Sequence, residues 1–99
     1  MGFSDEMVQK VWEKGMIVPS SDSTIWRKDQ YEAWIKRSDY GNRKSSYGWE
    51  IHQTKPEAQG NANELANLNP LHWENKDFKE AGHLTGTVTA SALINIRKD

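Results

Sequence analysis

Between Tyr47 and Lys79 the sequence reads as strand, loop, strand and helix, and that order restricts the fold more than any other feature of the chain. Tyr47-Gly48-Trp49-Glu50-Ile51 is aromatic and β-prone, and the strand pattern runs on to His52. A polar loop follows, with Pro56 and Gly60 as breakers. Asn67-Leu68-Asn69-Pro70-Leu71 is a short apolar return. From His72 the residues suit a helix, and Ala81-Gly82-His83 ends it.

The flanking segments add elements to this unit. Ser4 is a good helix N-cap, followed by Asp5 and Glu6 where the helix dipole favours negative charge. Met7, Val8, Val11 and Trp12 recur at helical spacing, Phe3 is placed to staple onto them, and Gly15 suits a stop. This predicts a packing helix over about Asp5 to Lys14. Met16 to Thr24, with Pro19-Ser20-Ser21-Asp22-Ser23, reads as a loop. Ile25 to Arg37 fits either period: Trp26, Tyr31, Trp34 and Ile35 line a helix face, whereas Tyr31, Ala33 and Ile35 alternate as a strand. The turn signal Asp39-Tyr40-Gly41-Asn42 tips the expectation to a strand over Ala33 to Arg37, in a hairpin with Trp49 to His52. Thr85 to Thr89 alternates as a strand does, and Ile94 to Asp99 is either an edge strand or loose.

At 99 residues the chain is expected to form one domain, 1–99, of α+β class. Apolar residues make up only 35%, so the core is expected to be thin and to draw heavily on the five Trp. Without Cys there is neither a disulfide nor a thiolate zinc site; His52, His72 and His83 leave room for a His/carboxylate site at most. No apolar run is long enough to span a membrane and no signal peptide is visible, which predicts a soluble, cytoplasmic protein with no membrane partner.

The formal net charge of −1 is not that of a general nucleic-acid binder, but charge is unevenly spread. Residues 27–55 carry Arg27, Lys28, Lys36, Arg37, Arg43, Lys44 and Lys55 against Asp29, Glu32, Asp39 and Glu50, a mildly basic middle between two mildly acidic ends. Such a middle is either a solvated face or a phosphate-binding one. Arg43-Lys44-Ser45-Ser46 sets cations beside hydroxyls and suits phosphate.

These pieces together resemble the HNH endonuclease family, whose core is a ββα-metal fold. The resemblance lies in Trp49-Glu50-Ile51, Pro56, Gly60, Asn67-Leu68, Pro70-Leu71 and His72-Trp73-Glu74-Asn75, matched without insertion or deletion. It extends to Trp26-Arg27-Lys28-Asp29, Ala33-Trp34-Ile35, Tyr40-Gly41-Asn42-Arg43, Val88-Thr89-Ala90 and Asn95-Ile96-Arg97-Lys98, and so covers most of the chain. It implies an HNH-like ββα core with an N-terminal helix and an upstream β-hairpin strand.

The family's chemistry, as the resemblance implies it, uses a carboxylate and a helix His or Asn to hold a divalent metal. A neighbouring His serves as general base, and a loop Asn orients it. Here His52 stands at the carboxylate position, Gln53 at the base and Lys76 at the helix ligand; Asn67 alone keeps the pattern. An amide takes up no proton near neutral pH, and a protonated ammonium has no lone pair for a metal. His52 retains a lone pair for a transition metal, but one ligand makes a weak site, so no resident cofactor or metal is expected.

Three functions follow as expectations. The first is a degenerate HNH-like domain without metal-dependent cleavage that binds DNA or RNA phosphates through Arg43, Lys44, Lys55 and Lys76. The second is a protein-interaction or inhibitor module on a dead nuclease scaffold, which exposed apolar surface at Trp26, Trp34 or Trp73 would favour. The third is a residual nuclease in which His52 or His72 takes over the chemistry. For His72 the simpler expectation is a partly buried, hydrogen-bonded side chain, and for His83 a surface residue.

Overall fold

The computed structural model describes residues 3–55, 63–83 and 85–98; the loop breakers Pro56 and Gly60 lie outside them. Within the described residues two helices and three two-stranded antiparallel sheets make an α+β fold. Helix α1 spans Asp5–Trp12, and the Ser4 hydroxyl accepts the Met7 N–H at 3.1 Å as its N-cap. The helix stops short of the expected Lys14 because the chain tightens: the Lys14 and Gly15 N–H groups turn back to Val11 and Trp12. The Arg27 guanidinium then takes the carbonyls of Glu13 (2.9 Å) and Gly15 (3.2 Å), a cation at the helix's negative end. Gly15 has no room for more, since a Cβ there would stand 3.2 Å from the Arg27 side chain.

The ambiguous segment resolves as strands, but with a different partner from the one expected. β1, Trp26–Lys28, pairs with β2, Trp34–Lys36, so that Arg27 faces Ile35. The expected hairpin of Ala33–Arg37 with Trp49–His52 does not form; across the Tyr40-Gly41 turn a parallel bridge joins Tyr40 to Trp49 instead. Asp29 is the reason. One of its oxygens accepts the N–H groups of Tyr31 and Ala33, both at 2.9 Å, which closes the Asp29–Ala33 connection as the hairpin turn.

β3, Trp49–Gln53, and β4, Leu68–His72, form the next hairpin, with Trp49 opposite His72 and Gln53 opposite Leu68. Pro70 is tolerated because the sheet has only two strands and each has an edge. Strand alternation divides the β3 side chains. Trp49 and Ile51 enter the core with Val8, Val11, Trp12, Ile35 and Leu68, while Glu50 and His52 take the other face. The Trp12 and Trp49 rings meet at 5.3 Å, the aromatic core expected from the composition.

Helix α2, Trp73–Glu80, begins directly after β4, and His72 is its N-cap. It ends at Ala81, followed by Gly82 at φ +100°, a left-handed position that suits glycine. The last sheet pairs β5, Val88–Ser91, with β6, Ile94–Arg97, three residues later than the expected start at Thr85. The strand begins only at Val88 because Asn75 of α2 already holds the Thr87 and Val88 N–H groups. Ile94–Arg97 is thus a strand rather than loose, and Asp99 lies outside the described residues. No helix among the described residues is long and apolar enough to cross a membrane.

Candidate site on the hairpin–helix face

The β3–β4 hairpin lays its polar face on α2, and the charged residues of both meet there. Glu50 projects from β3, and the Arg43 guanidinium grips it with two bonds of 2.8 Å. The same guanidinium bonds Asp77 of α2 at 2.7 and 3.0 Å and lies 5.6 Å over the Trp73 ring. Lys76 places its ammonium between two carboxylates, 3.2 Å from Glu80 and 3.6 Å from Glu50. Arg43 holds the Glu50 carboxyl below the usual carboxylate range, and the Arg43 pKa is raised in return, first by Glu50 and then by Asp77. The cluster is Arg43 and Lys76 against Glu50, Asp77 and Glu80, so its cations are neutralised from within.

His52 stands two residues along β3 on the same face. It is only 7% exposed, and burial lowers its pKa; the Glu80 charge pulls the other way, and Lys79 and Lys76 add to the lowering. It opens on a cleft of about 510 Å³ shared with Thr54, Lys79, Glu80 and His83. His83 is exposed and stacks on Phe78 with centroids 3.8 Å apart.

The four positions singled out in the sequence therefore divide. His52 and Lys76 share one side of the hairpin, close enough for their charges to interact. Gln53, the next residue of β3, borders the same cleft as His52, and its amide donates to Asn63 at 2.6 Å. Asn67 clamps the backbone of Lys55, accepting its N–H at 2.8 Å and donating to its carbonyl at 3.1 Å. That arrangement fixes the hairpin's open end and the start of the long loop. Among the described residues no three His, Asp or Glu converge to hold a metal.

His72 is fully buried rather than partly, and its ring is committed on both sides. Nδ1 accepts the Glu74 N–H at 3.1 Å, so Nε2 carries the hydrogen and donates to the Ser46 carbonyl at 2.8 Å. It caps a helix and ties down a loop, and has no free lone pair to offer a metal.

Of the expected phosphate contacts, Arg43 and Lys76 are occupied by carboxylates. Lys44 and Lys55 are exposed and enter no ion pair among the described residues. Sequence reading missed Asp77 and Glu80, the acids on α2 that neutralise the site. Their signal was present: Asp77 and Glu80 lie three apart on a helix face that also carries Lys76. No protein-family model matches the chain, nor does any curated protein or solved structure.

Proposed function

We propose that this chain is an HNH-like ββα domain that has lost metal-dependent cleavage and works as a nucleic-acid-binding module. The observation that carries it is Lys76. Its ammonium sits between Glu50 and Glu80, on the side of the hairpin where His52 replaces the expected carboxylate. A fixed monovalent cation there does a divalent ion's charge-balancing work without its Lewis acidity, so it polarises no leaving oxygen. Gln53 supplies no base, and its amide is bonded to Asn63. With Arg43 and Lys76 neutralised, the expected phosphate contacts reduce to Lys44 and Lys55.

The test has two arms. Plasmid DNA and single-stranded RNA are incubated with the protein and Mg²⁺, Mn²⁺, Ni²⁺ or Zn²⁺, and no cleavage is expected. Nicking that disappears in His52→Ala would overturn the loss of activity and restore the residual-nuclease reading. Binding is measured separately at low salt, where phosphate contacts are strongest; failure to bind any DNA or RNA would end the nucleic-acid reading.

A second reading, a protein-interaction module on the same scaffold, draws on one observation. Leu93 and Ile94, at the tip of the β5–β6 hairpin, are 75% and 57% exposed, and Leu93 borders a groove with Trp26 and Trp34.

A further inference from the structure

We infer that the outward face of the β1–β2 hairpin binds single-stranded nucleic acid, with bases against Trp26 and phosphates on Lys28 and Lys36. This rests on the nucleic-acid reading above but moves the main contact to the other hairpin. Alternation sends Arg27 and Ile35 inward and leaves Trp26, Lys28, Trp34 and Lys36 on one face. The register sets Trp26 opposite Lys36 and Lys28 opposite Trp34, so rings and cations alternate both along and across the strands. Each ammonium lies near the ring opposite: Lys28 is 4.9 Å from the Trp34 centroid and Lys36 is 5.5 Å from that of Trp26.

Their lack of an ion pair separates these lysines from Arg43, and their place over Trp rings separates them from the likewise unpaired Lys44 and Lys55. Arg27 is spent on carbonyls, and Arg43 on Glu50 and Asp77. Neither Lys28 nor Lys36 enters an ion pair among the described residues. Asp22, the acid that precedes β1, keeps its charge under bonds from the Thr24 N–H and hydroxyl, and it pairs with neither lysine. The face thus presents two positive charges with no ion-pair partner among the described residues, on an aromatic ground.

A groove of about 150 Å³ opens beside them, lined by Ser21, Trp26, Trp34 and Leu93. Trp34 is buried, its indole N–H held by the Ala92 carbonyl at 2.7 Å, and forms a fixed wall. Trp26 is half-buried and braced edge-on by Tyr47 at 5.0 Å. An aromatic ring with flanking cations is the arrangement that holds an unpaired base by stacking and the adjoining backbone by charge, with little sequence preference. A duplex keeps its bases stacked inside and offers this face only phosphates. An acidic peptide would satisfy the lysines but bring no planar group to the indole.

The full chain is titrated against a fluorescein-labelled oligo(dT) strand and a matched duplex, by anisotropy and Trp fluorescence, over a range of salt. The strand is expected to bind more tightly than the duplex and to quench Trp emission. Lys28→Gln with Lys36→Gln should weaken strand binding about tenfold and reduce the slope of log K against log salt by about 1.4, two phosphates at about 0.7 each. Trp26→Leu should weaken binding about tenfold with the salt slope unchanged. Should Trp26→Leu fail to fold, the two lysine changes, which leave both indole rings in place, decide the matter. If both variants bind as wild type while Lys44→Gln with Lys55→Gln weakens, the contact is elsewhere: the inference fails and the nucleic-acid reading stands. Binding of neither strand nor duplex overturns both. Equal competition by poly-glutamate overturns the inference in favour of an acidic protein partner.

Discussion

Asp29 and Asn75, from the first hairpin and the second helix, bond to each other at 3.0 Å with almost no exposure to solvent. The Asp29 carboxylate also accepts the N–H groups of Tyr31, Ala33 and His72, and Asn75 accepts those of Thr87 and Val88 while donating to the Val88 carbonyl. Two polar side chains thereby join β1–β2, the β4–α2 junction and β5. Asn75→Ala leaves the Thr87 and Val88 N–H groups and the Val88 carbonyl without these partners, all close to the core. Unfolding in urea should show a loss of about 3 kcal/mol or more. Asp29→Asn keeps the volume but turns one acceptor into a donor facing the His72 and Asn75 N–H groups, and should cost a similar amount. A loss below about 1 kcal/mol for both would show that the pair is not what holds the sheets together.

The Arg43–Glu50–Lys76 cluster is partly exposed, from 45% at Arg43 to 19% at Lys76, so its worth to stability is modest. Glu50→Gln removes one charge that Arg43 and Lys76 share, while Asp77 and Glu80 retain both cations. A loss of about 1 kcal/mol is expected at neutral pH. The pH dependence has a definite sign. The Glu50 carboxyl is held below its ordinary value of 4.5, chiefly by Arg43, so its contribution is present above that value and disappears as pH falls through the lowered one. Urea midpoints of wild type and Glu50→Gln should therefore converge as the solution is acidified below 4.5.

The parts of the fold that follow from local pattern were legible in the sequence. Ser4 with the Met7, Val8, Val11 and Trp12 stripe marked α1; Trp49 to His52 and Asn67 to Leu71 marked β3 and β4 to within a residue or so. The partner of β2 was not legible, because the choice rests on Asp29, whose loop-closing bonds leave no periodic trace. Asn75 was hidden likewise: a polar residue on a short, mostly polar helix gives no sign of full burial. At the candidate site the sequence placed His52 and Lys76 correctly on neighbouring elements. It did not reveal that Lys76 and Arg43 would be met by Glu80 and Asp77, because ion pairing between elements is set by tertiary packing. The Trp26–Lys28 and Trp34–Lys36 alternation was visible at period two, but its meaning required the β1–β2 register.

His52 gives the fold a further pH dependence. Its folded pKa is lowered from 6.5 by burial, so the unfolded chain binds more protons between the lowered value and 6.5. Stability should then fall as pH drops below 6.5. His52→Gln, uncharged at every pH, should remove that part of the slope. Melting temperatures followed by circular dichroism on either side of pH 6.5 check this; an unchanged slope in His52→Gln would show that another group is responsible.

Putting back the residues that the resemblance implies tests the descent from a metal site. The replacement is His52→Asp, Gln53→His and Lys76→His together. Removing Lys76 frees Glu50 and Glu80 from their internal cation, and the introduced carboxylate and helix imidazole would then share the side of the hairpin that His52 and Lys76 occupy now. The triple variant should bind Zn²⁺ or Mn²⁺ by calorimetry and gain about 2.7 kcal/mol of stability at a metal concentration about 100 times Kd. Metal-dependent nicking of plasmid DNA should follow, because the set then includes a base. Lys76→Ala alone should not nick, since Gln53 still accepts no proton. A triple variant that folds yet neither binds metal nor cleaves would remove the support for an HNH-like origin, and the ββα arrangement would then be a likeness of shape alone.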